Sequence, residues 1–118
     1  MKRMYVFYLT IFLVNMSCVD NSSIEVVNKT EYKGLVKKNY PIIDVRTPSE
    51  FWEGHIDNAI NIDFKSNLFI NEISKLDKSK TYLIYCRSGN RSSKAALIMD
   101  SLDLKKQSTW KGDFLDGK

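Results

Sequence analysis

Residues 81–100 read TYLIYCRSGNRSSKAALIMD, and the order of events within this stretch decides the fold. A run of aromatic and aliphatic side chains, "TYLIY", has the composition and length of a buried strand. It stops at Cys86. A short polar stretch with a glycine, two arginines and several hydroxyls follows. Beyond it Ala95, Ile98, Met99 and Leu102 recur at i, i+3, i+4 and i+7, the stripe of an amphipathic helix. A strand passing through a short loop into a helix is half of a parallel βαβ unit. Sheets of that kind gather their sites at the C-terminal ends of the strands, where Cys86 stands.

Working outward, the same alternation covers the rest of the chain. "IEVV" (24–27) is expected as a strand, and "KTEYKGLVKK" (29–38) as a short helix carrying Tyr32, Leu35 and Val36 on one face. "PIIDV" (41–45) has the unbroken apolar run of a strand buried on both faces. In "TPSEFWEG" (47–54), Thr47 as N-cap, Pro48 at the first helical position and Glu50 three residues after the cap form a capping box. Gly54 ends that helix. "AINI" (59–62) is a further strand, Phe69, Ile73 and Leu76 mark another helix, and "KQSTW" (106–110) is a weaker last strand. The predicted fold class is α/β, a mostly parallel central sheet flanked by helices.

The loop after Cys86 has the makings of an anion site. A helix start offers unpaired N–H groups and the positive end of a dipole. Gly89 permits a sharp reversal, and successive inward amides form a concave cradle. A cysteine at its rim is favoured as thiolate, the nucleophilic form. Arg87 and Arg91 add charge that draws an anion, and Ser88, Ser92 and Ser93 offer hydroxyls. The plain alternative is a cysteine ending a buried strand as a small hydrophobe; the arginines, the glycine and the helix start favour the reactive thiol.

The loop "YCRSGNRS" (85–92) resembles the active-site loop of rhodanese-type sulfurtransferases. "IIDVRTPSEFWEGHIDNAINI" (42–62) is similar to the family's other signature, an aspartate–valine–arginine strand end followed by a glycine–histidine–isoleucine turn. The resemblance runs from about residue 26 to 114. It implies a three-layer rhodanese-like domain in which Cys86 takes a sulfane sulfur from thiosulfate or a persulfide and passes it to a thiol or cyanide, with no metal or cofactor. Arg87, Ser88, Gly89, Asn90, Arg91 and Ser92 are implied as the cradle, and Asp44, Arg46 and His55 as supporting residues. We read Asp44 and Arg46 as an ion pair bracing the loops, and His55 as a hydrogen-bonding residue of its turn. The related phosphatases and arsenate reductases have a loop one residue longer; the four residues between Cys86 and Arg91 favour sulfur over an oxyanion. A carrier module that binds sulfur without turnover is the other alternative. Asn58 stands where the family often has glycine, and "WKGDFLDGK" (110–118) departs from the family's usual close.

The N-terminus carries a separate signal. Lys2 and Arg3 precede an apolar run over 4–14, too short for a membrane span of roughly 20 residues and right for a secretory leader. Ser17–Cys18 and the polar "VDNSS" behind it resemble a bacterial lipoprotein signal. Residues 1–17 are expected as signal peptide, 18–23 as a tether beginning at a lipidated Cys18, and 24–118 as the domain. Cleavage nearby of an ordinary secretory leader, and an uncleaved anchor, are the other readings. The implied location is the periplasm or cell envelope, with membrane contact through the lipid. There spare thiols tend to be oxidised, so a lone Cys86 is either buried or reactive.

Composition narrows the rest. The chain of 118 residues is 43% hydrophobic and 27% charged, one ordinary globular domain. Its formal charge of +4 is spread over scattered lysines, which gives no nucleic-acid surface. No spacing of His, Cys and carboxylates suits a metal. Oligomeric state is open.

Overall fold

A computed structural model describes residues 24–104 and 106–110. The leader, Cys18, the tether and the segment from 111 onward lie outside these. The elements alternate throughout: β1 (Ile24–Val27), α1 (Lys29–Val36), β2 (Ile42–Asp44), α2 (Pro48–Glu53), β3 (Ile60–Asn61), α3 (Phe69–Ser74), β4 (Thr81–Tyr85), α4 (Asn90–Ser101) and β5 (Lys106–Trp110). The five strands form one sheet in the order β1-β5-β4-β2-β3, every pairing parallel. The architecture is the expected three-layer α/β domain.

The pleat of β4 shows how the layers are built, since alternate residues of a strand face opposite sides. Tyr82 and Ile84 join Phe69 and Ile73 of α3 and Ala95, Ala96 and Met99 of α4 in one core. Leu83 and Tyr85 join Tyr32 of α1, Ile42 and Trp110 in the other. The sheet is therefore covered on both faces, as a parallel sheet requires. Burying each large apolar side chain contributes about 1.5–3 kcal/mol.

Three local outcomes refine the sequence reading. The buried stripe of α4 runs through Ser92, Ala95, Ala96 and Met99, while Ile98 and Leu102 are only partly covered. Small residues let the helix lie close on the sheet, so the stripe shifts toward them and away from the bulkier pair. Helix α1 starts from a capping box of Asn28 and Glu31, each side chain holding the other's backbone N–H at 2.9 Å. Asn58 takes φ 64°, so the turn keeps the left-handed backbone that a glycine would supply. Asparagine is among the few other residues that tolerate it.

Strand β5 is more central than its polarity suggests. It lies between β1 and β4, and Gln107, Ser108 and Thr109 are all buried. Gln107 Nε2 donates to the Leu104 carbonyl at 2.7 Å, which settles one of these polar groups inside the core.

Candidate active site

Cys86 follows directly on β4 and is 1% exposed. Two backbone amides converge on its sulfur: Gly89 N–H donates to Sγ at 3.1 Å and Ser92 N–H at 3.4 Å. The helix explains the second. The first N–H groups of a helix have no partner within it, and a side chain at the N-cap normally accepts one of them. Here the N-cap is Gly89, which has no side chain to offer. The N–H at the third helical position, that of Ser92, turns to the Cys86 sulfur instead. Cys86 thus serves as the missing cap of α4, and the amides aim at the atom on which negative charge would rest.

Gly89 makes this possible. Its φ of 90° lies in the left-handed region, which costs an L-residue about 1–2 kcal/mol. The hydroxyls of Ser92 and Ser93 both donate to its carbonyl, at 3.2 and 2.6 Å, and pin the reversal from the helix side. Gly89→Ala is expected to lower stability by about 1–2 kcal/mol and to slow alkylation of Cys86, as the amides swing off the sulfur. Denaturant unfolding and thiol-alkylation rates measure the two effects; an alanine variant matching wild type in both would refute this account of the loop.

Two arginines approach the loop, and each is met by a carboxylate. Arg91 reaches back to Glu50 of α2 in a two-pronged pair, Nη1 to Oε1 at 2.7 Å and Nη2 to Oε2 at 3.0 Å. The Arg91 bond is the main reason the Glu50 pKa falls from its ordinary 4.5 to about 2; burial opposes it, and the hydroxyl of Thr47 assists. The same bond holds the Arg91 pKa above its usual value, and the nearby Cys86 sulfur adds to that rise. Because Glu50 is more acidic folded than unfolded, its contribution to stability is present above pH 4.5 and is lost as pH falls toward 2. Urea denaturation across that window should show a shallower pH dependence for Glu50→Gln; identical slopes would mean the pair contributes nothing.

The second pair is deeper. Asp44, fully buried, takes the Arg46 backbone N–H and Nε on Oδ1 at 2.9 and 3.0 Å, and Nη2 on Oδ2 at 2.7 Å. Burial would lower the Arg46 pKa, but the bonds to Asp44 outweigh it and hold that pKa up. Tyr85 completes the network. Its hydroxyl donates to Asp44 Oδ2 at 2.7 Å and accepts the Ile56 N–H at 3.1 Å, while Arg46 Nη2 also donates to the Gly54 carbonyl at 2.7 Å. Burial, reinforced by Asp44, pushes the Tyr85 phenol well above its ordinary range. The ends of β2 and β4 and the turn over 54–56 are thereby tied into one frame around Cys86.

The rhodanese-like domain model matches residues 28–114. The chain belongs to the rhodanese-like family. Among curated relatives, the thiosulfate:glutathione sulfurtransferase of Saccharomyces cerevisiae is 29% identical, over 80% of this chain and 78% of its own length. The tRNA sulfurtransferase of Thermoplasma acidophilum is 30% identical over 69% of this chain, which spans only 16% of that longer protein. Among solved structures, a rhodanese-related protein from Thermoplasma volcanium superposes with TM-score 0.63 at 29% identity, covering 78% of this chain and 88% of that one.

Within the rhodanese-like frame the sequence-predicted residues take different places. Gly89 and Ser92 meet the Cys86 sulfur, Arg91 turns to Glu50 beside it, and Asp44 and Arg46 form an ion pair. Arg87, Ser88 and Asn90 lie on the outer rim, and among the described residues the Arg87 guanidinium has no ion pair. His55 places Nδ1 2.8 Å from the Phe51 carbonyl and stacks on the Phe51 ring at 3.6 Å, a fastening of α2 to its turn. Two participants escape a reading of the sequence. Glu50 is already explained by its capping role, which it also performs with Thr47. Tyr85 passes as strand filling, although a phenol in an aliphatic strand signals a buried partner.

Proposed function

We propose that the protein is a sulfurtransferase whose carrier is Cys86. The observation that supports this reading is the convergence of the Gly89 and Ser92 amides on the Cys86 sulfur, within a loop leaving four residues before Arg91. In the first half-reaction the Cys86 thiolate attacks the outer sulfur of thiosulfate or of an organic persulfide. The old S–S bond breaks, and its electron pair leaves on sulfite or on the donor's thiolate. Cys86 is then a persulfide, and the charge on its terminal sulfur meets the inward-facing amides. In the second half-reaction a thiol, as thiolate, or cyanide attacks that terminal sulfur and returns the Cys86 thiolate. The short loop favours this over phosphoryl or arsenate chemistry, which needs room for a tetrahedral oxyanion.

The test is direct. The full chain, reduced and then exposed to thiosulfate or glutathione persulfide, should gain the mass of one sulfur atom on the peptide containing Cys86 and lose it on addition of cyanide. A reduced protein that takes up no sulfur from either donor would sink the reading. Loading without release to any acceptor would instead identify a carrier module.

We propose further that residues 1–17 direct export and that Cys18 becomes the lipid-bearing first residue, tethering the domain in the cell envelope. The support is the charged start, the apolar run over 4–14 and the Ser17–Cys18 junction. The mass of the mature N-terminus decides: an unmodified Cys18, or cleavage elsewhere, excludes the anchor.

A further inference from the structure

The charges around Cys86 point to the donor. Arg46 is bonded through Nε and Nη2 to Asp44, and Arg91 through both terminal nitrogens to Glu50. Both of these arginines are therefore neutralised from within the fold, and the loop's other cation, Arg87, is exposed on the rim. Glu50 is the partner that matters for specificity. Asp44 is sealed beneath the strands, whereas the Arg91–Glu50 pair keeps 18% and 25% of its side-chain surfaces exposed. Taking the carboxylate from Arg91 would give an incoming oxyanion a guanidinium to bind, with the fork geometry that oxyanions favour.

The two donor classes differ in the charge they bring. Thiosulfate is a dianion, and its reaction with a thiolate assembles three negative charges and releases sulfite dianion. An organic persulfide, R–S–S⁻, assembles two and releases R–S⁻. In both, one S–S bond breaks and one forms on Cys86, so atoms, charge and electrons balance. A site whose arginines are already satisfied disfavours the more highly charged encounter.

We propose that Glu50 is a specificity-determining residue that masks Arg91 and sets this protein to take sulfur from organic persulfides in preference to thiosulfate. The inference rests on the sulfurtransferase reading above. Its consequence is that the supplying reaction is one that makes a low-molecular-weight or protein persulfide. Glu50 stays ionised throughout the neutral range, its pKa being about 2, so the mask does not lift with ordinary changes of pH.

The experiment compares kcat/KM for thiosulfate and for glutathione persulfide in the full chain and two variants. Wild type should favour the persulfide. Glu50→Gln, which keeps the shape and removes the charge, should shift the ratio toward thiosulfate by about tenfold, and the shift should shrink at about 0.5 M salt. Glu50→Asp, which keeps the charge, should hold the wild-type ratio. A ratio that is the same in all three proteins, or a shift in Glu50→Asp equal to that in Glu50→Gln, overturns the proposal. If Glu50→Gln does not fold, the salt dependence of Arg87→Gln decides, because Arg87 is the loop's exposed cation. With Arg87 removed and Arg91 masked, thiosulfate kcat/KM should change less than about threefold between about 20 mM and about 0.5 M salt; a fall of about tenfold would show that Arg91 is not masked and overturn the inference. Sulfur loading of wild type separates the two levels. Loading with a Glu50-insensitive ratio removes only this proposal, and no loading from any donor removes the sulfurtransferase reading and this proposal together.

Discussion

Cys86→Ala is expected to abolish sulfur uptake, lowering turnover by at least about a thousandfold, while the domain remains folded. Among the described residues no other thiol is present, the neighbouring Ser92 hydroxyl is committed to the Gly89 carbonyl, and on the proposed mechanism the second half-reaction has no substrate unless the first has loaded Cys86. Cys86→Ser should be as inactive, because a serine hydroxyl is not ionised near neutral pH and the O–S bond its attack would form is far weaker than the S–S bond formed on cysteine. The alanine variant will lose some stability, since Ser92 N–H then lacks its acceptor at the start of α4, a loss on the scale of a helix cap, about 1 kcal/mol. Parallel measurement of turnover and unfolding separates the two. Activity persisting in a folded Cys86→Ala protein would move the chemistry elsewhere.

The second large effect is on stability. Asp44→Asn should destabilise the domain by about 3–5 kcal/mol, a large part of the roughly 5–15 kcal/mol that holds a domain together. The substitution keeps the shape and removes the charge. Arg46, 4% exposed, then loses the carboxylate that neutralises it, and the Tyr85 hydroxyl loses its anionic acceptor. Both consequences fall on the same frame, so the 54–56 turn should loosen with it. The double variant Asp44→Leu with Arg46→Met should recover part of the loss, because breaking a buried pair costs more than removing both partners. Chemical denaturation decides: Asp44→Asn within about 0.5 kcal/mol of wild type would show that the pair braces nothing.

What the sequence made legible was local. The step from "TYLIY" through Cys86 into a helical stripe placed that cysteine between strand end and helix start, because strand, loop and helix each leave a short-range pattern. The Thr47–Pro48–Glu50 start of α2 was legible for the same reason. What stayed hidden joins distant positions. Glu50 meets Arg91 and Tyr85 meets Asp44 across 41 positions in each case, and a residue already explained by its neighbours gives no sign of a second partner. Polarity misled at β5, where Gln107, Ser108 and Thr109 resemble surface residues yet lie inside. Ser92 was legible as a cradle residue, but not its burial, 0% exposed, within the stripe that α4 presents to the sheet. The fold class thus followed from pattern, while the electrostatics of the site required three dimensions.

The position of β5 has a consequence for how the molecule comes into being. Strand β1 pairs with β5, Ile24 level with Gln107, and β5 in turn pairs with β4. Among the described strands, β1 therefore has no neighbour in the sheet until β5 has been supplied. Loop closure over so long a separation is slow, and contacts of high sequence separation lower the folding rate. An emerging chain can assemble β2, β3 and β4 while β1 still waits for its neighbour. Among the described strands, completing the sheet brings together β1 and β5, which lie far apart in the chain.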